Sequence, residues 1–382
     1  MQFTPPKDWP KDGEIDLNIH DLPHQSSTTE WWYVNSHCKG KDGKEYSIFA
    51  SFFRKLLKYD KSKDELVYAY SITWAIIDAT DKKYYANSVV DRKAPEIGLE
   101  RIRQGEIVND NRIRKAAIEM LEKGVVPYPD RLFEGEVVCS LDKLDLQYDT
   151  NSYTKLTNGN YALKLYDKEH DVACDLELEP QTKPFRHGDN GVVSGISAED
   201  MFYYFIPKNI MTGSINIKGQ EIELESGTAW YDHEFGRHRD EDKNADIDLT
   251  KDVAWDWIAA QLDDNSQLTA YNLVNTKTNE NSGSYLILID SEGNRRQVKD
   301  FTFTSIGEAW TSTRTFQDYP THWVIESKEI DLKLEIEAYF PEQEFATVIS
   351  KPAFWEGKVS VKGTKEGKSV AGPGFIERSG FS

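Results

Sequence analysis

Apolar and polar residues alternate with a period of two along most of the chain, the pattern of strands with one face turned inward. Glu45–Leu56, Leu66–Asp78 and Tyr161–Asp167 read this way. So do "ACDLELEP", "GSINIKGQEIELESGTAWYD", "WDWIAAQLDD", "QLTAYNLVN", "SYLILIDSEGN", "HWVIESKEIDLKLEIEAYF" and "WEGKVSVKG". Turn-forming runs such as Lys41-Asp42-Gly43 and Ser291-Glu292-Gly293-Asn294 separate them. Strands recur every ~10–15 residues, the spacing of meanders that close into barrels or sandwiches.

One stretch breaks the pattern. "DNRIRKAAIEMLEKG" sets Ile113, Ala116, Ala117, Met120 and Leu121 on one helical face, with Asp110 placed to cap its start and Gly124 its end. The spacing predicts an amphipathic helix near 110–123, inserted in an otherwise all-β chain as a plug, brace or lid. "QTKPFRHGDNGVVSG" (181–195) is loop-like, and it marks a division into 1–200 and 201–382. The halves echo each other. "EWWY" is followed by "SITWAIIDATD", and "TAWYDHEFG" by "WDWIAAQLDDN". Two related antiparallel β-barrels in tandem are expected.

A chain of 382 residues fits two domains better than one. Aromatics change the picture more than length does. With 10 Trp, 19 Tyr and 17 Phe, the apolar material is large and flat and often carries a polar handle, which suits a ligand cavity as well as a core. Net charge is −19, a surface that repels phosphate backbones and anionic lipid, so nucleic acid is excluded as a partner. Cys38, Cys139 and Cys174 match no zinc, redox or disulfide pattern. No apolar run is long enough to span a membrane, and the polar, Pro-rich opening has no secretory signal. A cytoplasmic monomer is expected.

Carboxylates interrupt three aromatic strands. In Glu30–His37, Glu30, Trp32, Val34 and Ser36 share one face, and Trp31, Tyr33, Asn35 and His37 the other. In "TAWYDHEFG", Trp230, Asp232 and Glu234 share a face, with Tyr231, His233 and Phe235 behind. In "WDWIAAQLDD", Trp255 and Trp257 oppose Asp256. Burial among rings raises a carboxyl pKa, so the group keeps a proton at neutral pH and can give it away. Ring faces stabilise a developing cation. Together these are the requirements for protonating an alkene. The competing reading is an ion pair that fixes register, with Arg54, Arg186, Arg237 and Arg378 as available partners. Two sets, His24/Glu30/His37 and His233/Glu234/His238, are candidate metal ligands, but neither has a known metal-site spacing, and no metal is expected. "HGDNG" (187–191) follows no βα signal and is not a phosphate loop. Motifs for nicotinamide, flavin and ATP are absent from the sequence, so no cofactor is expected.

Four marks, "EWWYVNSH", "GTAWYDHEFG", "WDWIAAQLDD" and "GPGFIERSGF", resemble the AttH/carotenoid 1,2-hydratase superfamily of lipocalin-like proteins, in an order covering nearly the whole chain. The resemblance implies an all-β fold of two tandem lipocalin-like barrels, with cofactor-free chemistry on a hydrophobic small molecule. Relatives include carotenoid hydratases, a fungal hydratase of plant-defence compounds and fungal decalin-forming Diels–Alderases. The hydratases' acid maps onto Asp232. Their Tyr two residues earlier is Trp230 here, and their His and Trp fall within "FYYFIP", near Tyr203 and Phe205. The leading expectation is alkene protonation by Asp232 followed by hydration or cyclisation. His233 and Glu234 would tune or reload the acid. Glu30, Trp32, Tyr203, Phe205, Trp230, Trp255 and Trp257 are the expected lining residues. The alternatives are a pericyclase that folds its substrate and a non-catalytic carrier of an apolar ligand.

Overall fold

The computed structural model describes residues 4–103, 111–188, 190–194, 200–238, 253–347 and 353–381. Fourteen strands form the first sheet. They are β1 (Ser27–Gly40), β2 (Glu45–Asp60), β3 (Glu65–Asp78), β4 (Lys83–Val90), β5 (Asp130–Leu132), β6 (Val137–Cys139), β7 (Asp145–Tyr148), β8 (Asn151–Lys155), β9 (Tyr161–Asp167), β10 (Val172–Pro180), β11 (Phe185–Arg186), β12 (Val192–Ser194), β13 (Asp200–Ile217) and β14 (Gln220–His238). Their order is β5-β4-β3-β2-β1-β14-β13-β10-β9-β8-β7-β6, with β11 and β12 pairing onto β13. The long β1 and β14 lie side by side at its middle, Tyr33 opposite Asp232. The far edge curls back: the Tyr148 hydroxyl of β7 donates to the Phe53 carbonyl of β2 at 3.2 Å, and its ring packs on Phe52 and Tyr70.

The second sheet holds β15 (Val253–Gln261), β16 (Gln267–Asn275), β17 (Asn281–Ile289), β18 (Arg295–Val298) and β19 (Thr302–Ser305). After the small hairpin β20 (Trp310–Thr311) and β21 (Asp318–Tyr319), it continues with β22 (His322–Ser327), β23 (Leu332–Ala338), β24 (Glu344–Phe345), β25 (Phe354–Lys365) and β26 (Lys368–Ser379). The sheets change between His238 and Val253, beyond the division near 200 marked by the loop-like 181–195 stretch. Strands β13 and β14 complete the first sheet.

Alternation along the strands produces three apolar clusters. One fills the first curl, with Trp32, Tyr46, Trp74, Tyr204 and Tyr231 among its members. A second fills the other curl, around Ile258, Trp323, Leu334 and Trp355. The third lies between the sheets and draws on both: Tyr33, Phe49, Tyr203, Phe205 and Trp230 meet Trp257, Tyr271, Phe345 and Phe375. Gln261 also ties the sheets, its amide donating to the carbonyls of Pro207 at 2.7 Å and Ala229 at 3.3 Å.

The helical segment is larger than the single helix expected. Helix α1 (Leu17–His20) is one turn, α2 is Ala94–Arg103, and α3 is Asn111–Glu122. Gly124 ends α3 at φ +73°, its N–H donating to the Leu121 carbonyl at 2.9 Å. Leu121 is buried whereas Ala116 is exposed; Asp110 and the Ile113 side chain lie outside the described residues. Helix α2 escapes periodicity because its buried positions include Ala94, Pro95 and Gly98, which carry little apolar signal. Among the described residues no helix is long and apolar enough to cross a membrane.

Candidate active site

Strand β14 is the wall between two differently built clusters. Its even residues Trp230 and Asp232 face the second sheet, and its odd residues Ala229, Tyr231 and Phe235 face the first curl. The period of two follows from the pleat.

On the outer face, Asp232 is 3% exposed. The Trp230 indole N–H donates to its Oδ1 at 2.8 Å, and the Tyr203 hydroxyl also hydrogen-bonds to it. The Trp257 N–H donates to the Tyr203 oxygen at 3.2 Å, so a residue of the second sheet completes the chain. The Phe205 ring, opposite Asp232 on β13, stacks on Trp230 with centroids 5.1 Å apart. Tyr33 meets Trp257 edge-on at 5.5 Å, and its hydroxyl donates to Glu356 at 2.6 Å. Burial pushes the Asp232 carboxyl up to about 8. Hydrogen bonds from Trp230 and Tyr203 offset part of that rise, and Glu377 adds to it. At neutral pH this carboxyl therefore holds its proton. The neighbouring carboxylate that acts on it is Glu377 of β26 rather than Glu234, which lies on the same face and is half-buried.

The inner face is built the other way. Glu30 is 1% exposed, yet its oxygens are fully engaged. Arg54 contacts Oε2 at 2.9 Å, and ring nitrogens of His24 and His233 lie 2.8 and 3.0 Å from Oε1. Burial pushes this carboxyl up, but Arg54 and the two imidazoles outweigh it and hold it down at about 2. His233 stacks on Trp32 at 4.8 Å, and its Nδ1 lies 3.0 Å from the Tyr204 hydroxyl. Asp21 anchors the network beyond, bonded by Tyr161, Tyr204 and Tyr231 and paired with Lys155 at 3.0 Å.

The structure thus brings Asp232, Trp230, Tyr203, Phe205 and Trp257 together, with the half-buried Trp255 packed against their cluster. It places Glu30, Trp32 and His233 elsewhere, inside the first curl, on the opposite side of the sheet from Asp232. Tyr33 reaches the inter-sheet cluster in their stead, because the opposite face of β1 points there. The expected ligand sets do not assemble as such. One member of each, His24 and His233, joins Glu30 with ligand atoms within 4.8 Å of one another. A cation there would meet the Arg54 guanidinium already bound to the same carboxylate, so the set fits a hydrogen-bonded ion cluster. His37 lies apart, its Nδ1 at 3.1 Å from the Ser47 hydroxyl, and the His238 side chain lies outside the described residues.

Sequence reasoning missed His187. It is fully buried and stacks on Tyr203 at 4.5 Å, with Tyr271 at 4.8 Å and Phe205 at 5.8 Å. The local signal is the His-Gly pair. Gly188 turns at φ +54°, where a Cβ would come within 2.6 Å of the Val192 carbonyl, and this turn folds the imidazole back between the sheets. A cleft of about 490 Å³ lies instead on the N-terminal segment, lined by Trp9, Asp16, His20, His24 and Leu141 among others; none of the expected lining residues borders it.

Among solved structures, the chain is similar to an AttH protein from Nitrosomonas europaea, at 22% identity and a TM-score of 0.70, over 97% of this chain and 98% of that one. It is also similar to kievitone hydratase from Nectria haematococca, at 13% identity and a TM-score of 0.68, over 94% and 90%. These likenesses show the tandem lipocalin-like fold. No curated protein matches the sequence. The AttH-like family matches residues 11–381, and the chain belongs to that family.

Proposed function

We propose that the protein is a hydratase-type enzyme acting on a hydrophobic polyene, isoprenoid or polyketide, with Asp232 as the proton donor. One observation carries the reading. A carboxyl with a pKa raised to about 8 stands among Trp230, Phe205, Tyr33 and Trp257, and among the described residues no cation contributes to its state. The structural neighbour named as a hydratase has the same fold and supports the reading.

In the step proposed, the alkene π pair takes the Asp232 proton to form a C–H bond. The cation left on the more substituted carbon faces the rings of Trp230 and Trp257. Water adds to that carbon and returns a proton to the carboxylate, so the net change is addition of water. Capture of the cation by a second double bond gives cyclisation instead. The test is turnover of a panel of isoprenoid and polyketide polyenes in D2O, with product masses read by mass spectrometry. Asp232→Asn should abolish deuterium uptake while the fold survives. Near-normal turnover in that variant overturns the donor role, and its loss only in Trp230 or Trp257 variants points to a pericyclase that works by shape.

A further inference from the structure

Among the described residues, His187 carries a donor with nothing to bind. Its Nδ1 accepts the Gly188 backbone N–H at 3.1 Å. Burial and then the nearby Arg295 push its pKa well below the usual histidine range, so the ring is neutral. A neutral imidazole that accepts at Nδ1 carries its proton at Nε2. That Nε2 is buried and has no hydrogen-bond partner among the described residues. The ring is not free to turn and seek one. Tyr203 and Phe205 of the first sheet and Tyr271 and Tyr285 of the second enclose it. Arg295 clamps the turn that bears it, donating to the carbonyls of Arg186 and Gly188, each at 2.8 Å. A buried donor left unmade is costly, and native proteins seldom carry one without a ligand, ion or water to fill it.

We propose that His187 is a ligand-binding residue whose Nε2–H donates to a neutral oxygen, a ketone or hydroxyl, of an otherwise apolar molecule held between the sheets. This rests on reading the inter-sheet aromatic cluster as the binding site. It narrows the substrate from polyenes in general to oxygen-bearing ones. A carboxylate is disfavoured, because burial in this aromatic cluster penalises a charged group. A pure hydrocarbon would leave the donor unmade.

The test uses geranylacetone and the hydrocarbon in which its carbonyl is replaced by CH2, each titrated into the full chain and followed by quenching of tryptophan fluorescence. The wild type should bind the ketone about tenfold or more tightly. His187→Phe should bring the ketone to the affinity of the hydrocarbon, and His187→Gln should restore part of the gap. In the ¹⁵N-labelled wild type, the His187 Nε2–H signal should shift with the ketone and not with the hydrocarbon, which gives a readout even if the Phe variant fails to fold. Equal affinities in the wild type, no binding of the ketone, an undiminished gap in His187→Phe or an unmoved Nε2–H signal would each overturn the proposal, leaving water as the partner. Deuterium uptake from D2O reports the acid role and the ketone-over-hydrocarbon preference reports this one, so the two failures register separately.

Discussion

Glu30 and Asp232 sit on adjacent strands of one sheet, both buried, and the fold treats them oppositely. Glu30 points into the first curl and meets Arg54, His24 and His233, and its carboxyl is held down at about 2. Asp232 points between the sheets and meets an indole N–H and a phenol, and its carboxyl rises to about 8. Burial acts on both in the same direction. The difference is the Arg54 guanidinium acting together with two imidazoles. Neutral donors recover only part of what desolvation costs a carboxylate, whereas Arg54 at 2.9 Å and the hydrogen bonds of His233 and His24 together recover more than all of it. One side chain is a paired ion, and the other is a carboxyl that keeps its proton.

The largest break in the comparison is kinetic. Asp232→Asn should lower turnover by about 10²–10⁴-fold, the range for loss of a positioned acid, with an unchanged circular dichroism spectrum. Next comes stability. Arg54→Met leaves the Glu30 carboxylate buried without its cation and should cost about 3–5 kcal/mol in urea unfolding. The same pair separates in pH. The stability from Glu30 is present above its unfolded value near 4.5 and is lost as pH falls through about 2, a change on the order of 3 kcal/mol that Glu30→Gln should remove. Asp232 runs the other way. Its folded state keeps a proton that the unfolded chain has released above 3.8, so its contribution declines from there up to about 8, and Asp232→Asn should gain on the wild type across that window. Activity that needs the protonated acid should fall as pH rises through about 8. The smallest effect sharpens that limb. Tyr203→Phe removes a hydrogen bond that lowers the Asp232 pKa, and should move the alkaline limb upward by under ~1 pH unit.

Much of this was legible in the chain because the pleat has a fixed period. The alternation in "TAWYDHEFG" places Asp232 with Trp230 and puts His233 behind them. Of the four arginines available to strand carboxylates, Arg186 donates instead to the carbonyls of Asn190, Lys11 and Gly13, and the Arg237 side chain lies outside the described residues. Arg54 holds Glu30, and Arg378 holds Asp256 at 2.6 and 2.8 Å. What alternation cannot say is which face of a strand looks inward. In "EWWYVNSH" both faces are aromatic, so the pattern alone does not separate Glu30 and Trp32, which face the first curl, from Tyr33, which reaches the inter-sheet cluster. His187 was hidden for a different reason. Its place depends on a turn at Gly188 and a clamp from Arg295, far along the chain, and no periodic signal encodes either. Helix α2 was lost to its small residues, whose burial depends on α3 lying alongside; Arg114 of α3 reaches the Ile102 carbonyl.

The alternation of β14 has a consequence for how this protein can change. Replacing Trp230 or Asp232 alters the cluster between the sheets while the packing of the first curl stays as it was; replacing Tyr231, His233 or Phe235 does the reverse. The two clusters can therefore drift separately, one residue apart. An insertion or deletion in this segment gains no such freedom, since it would exchange the two faces at a stroke.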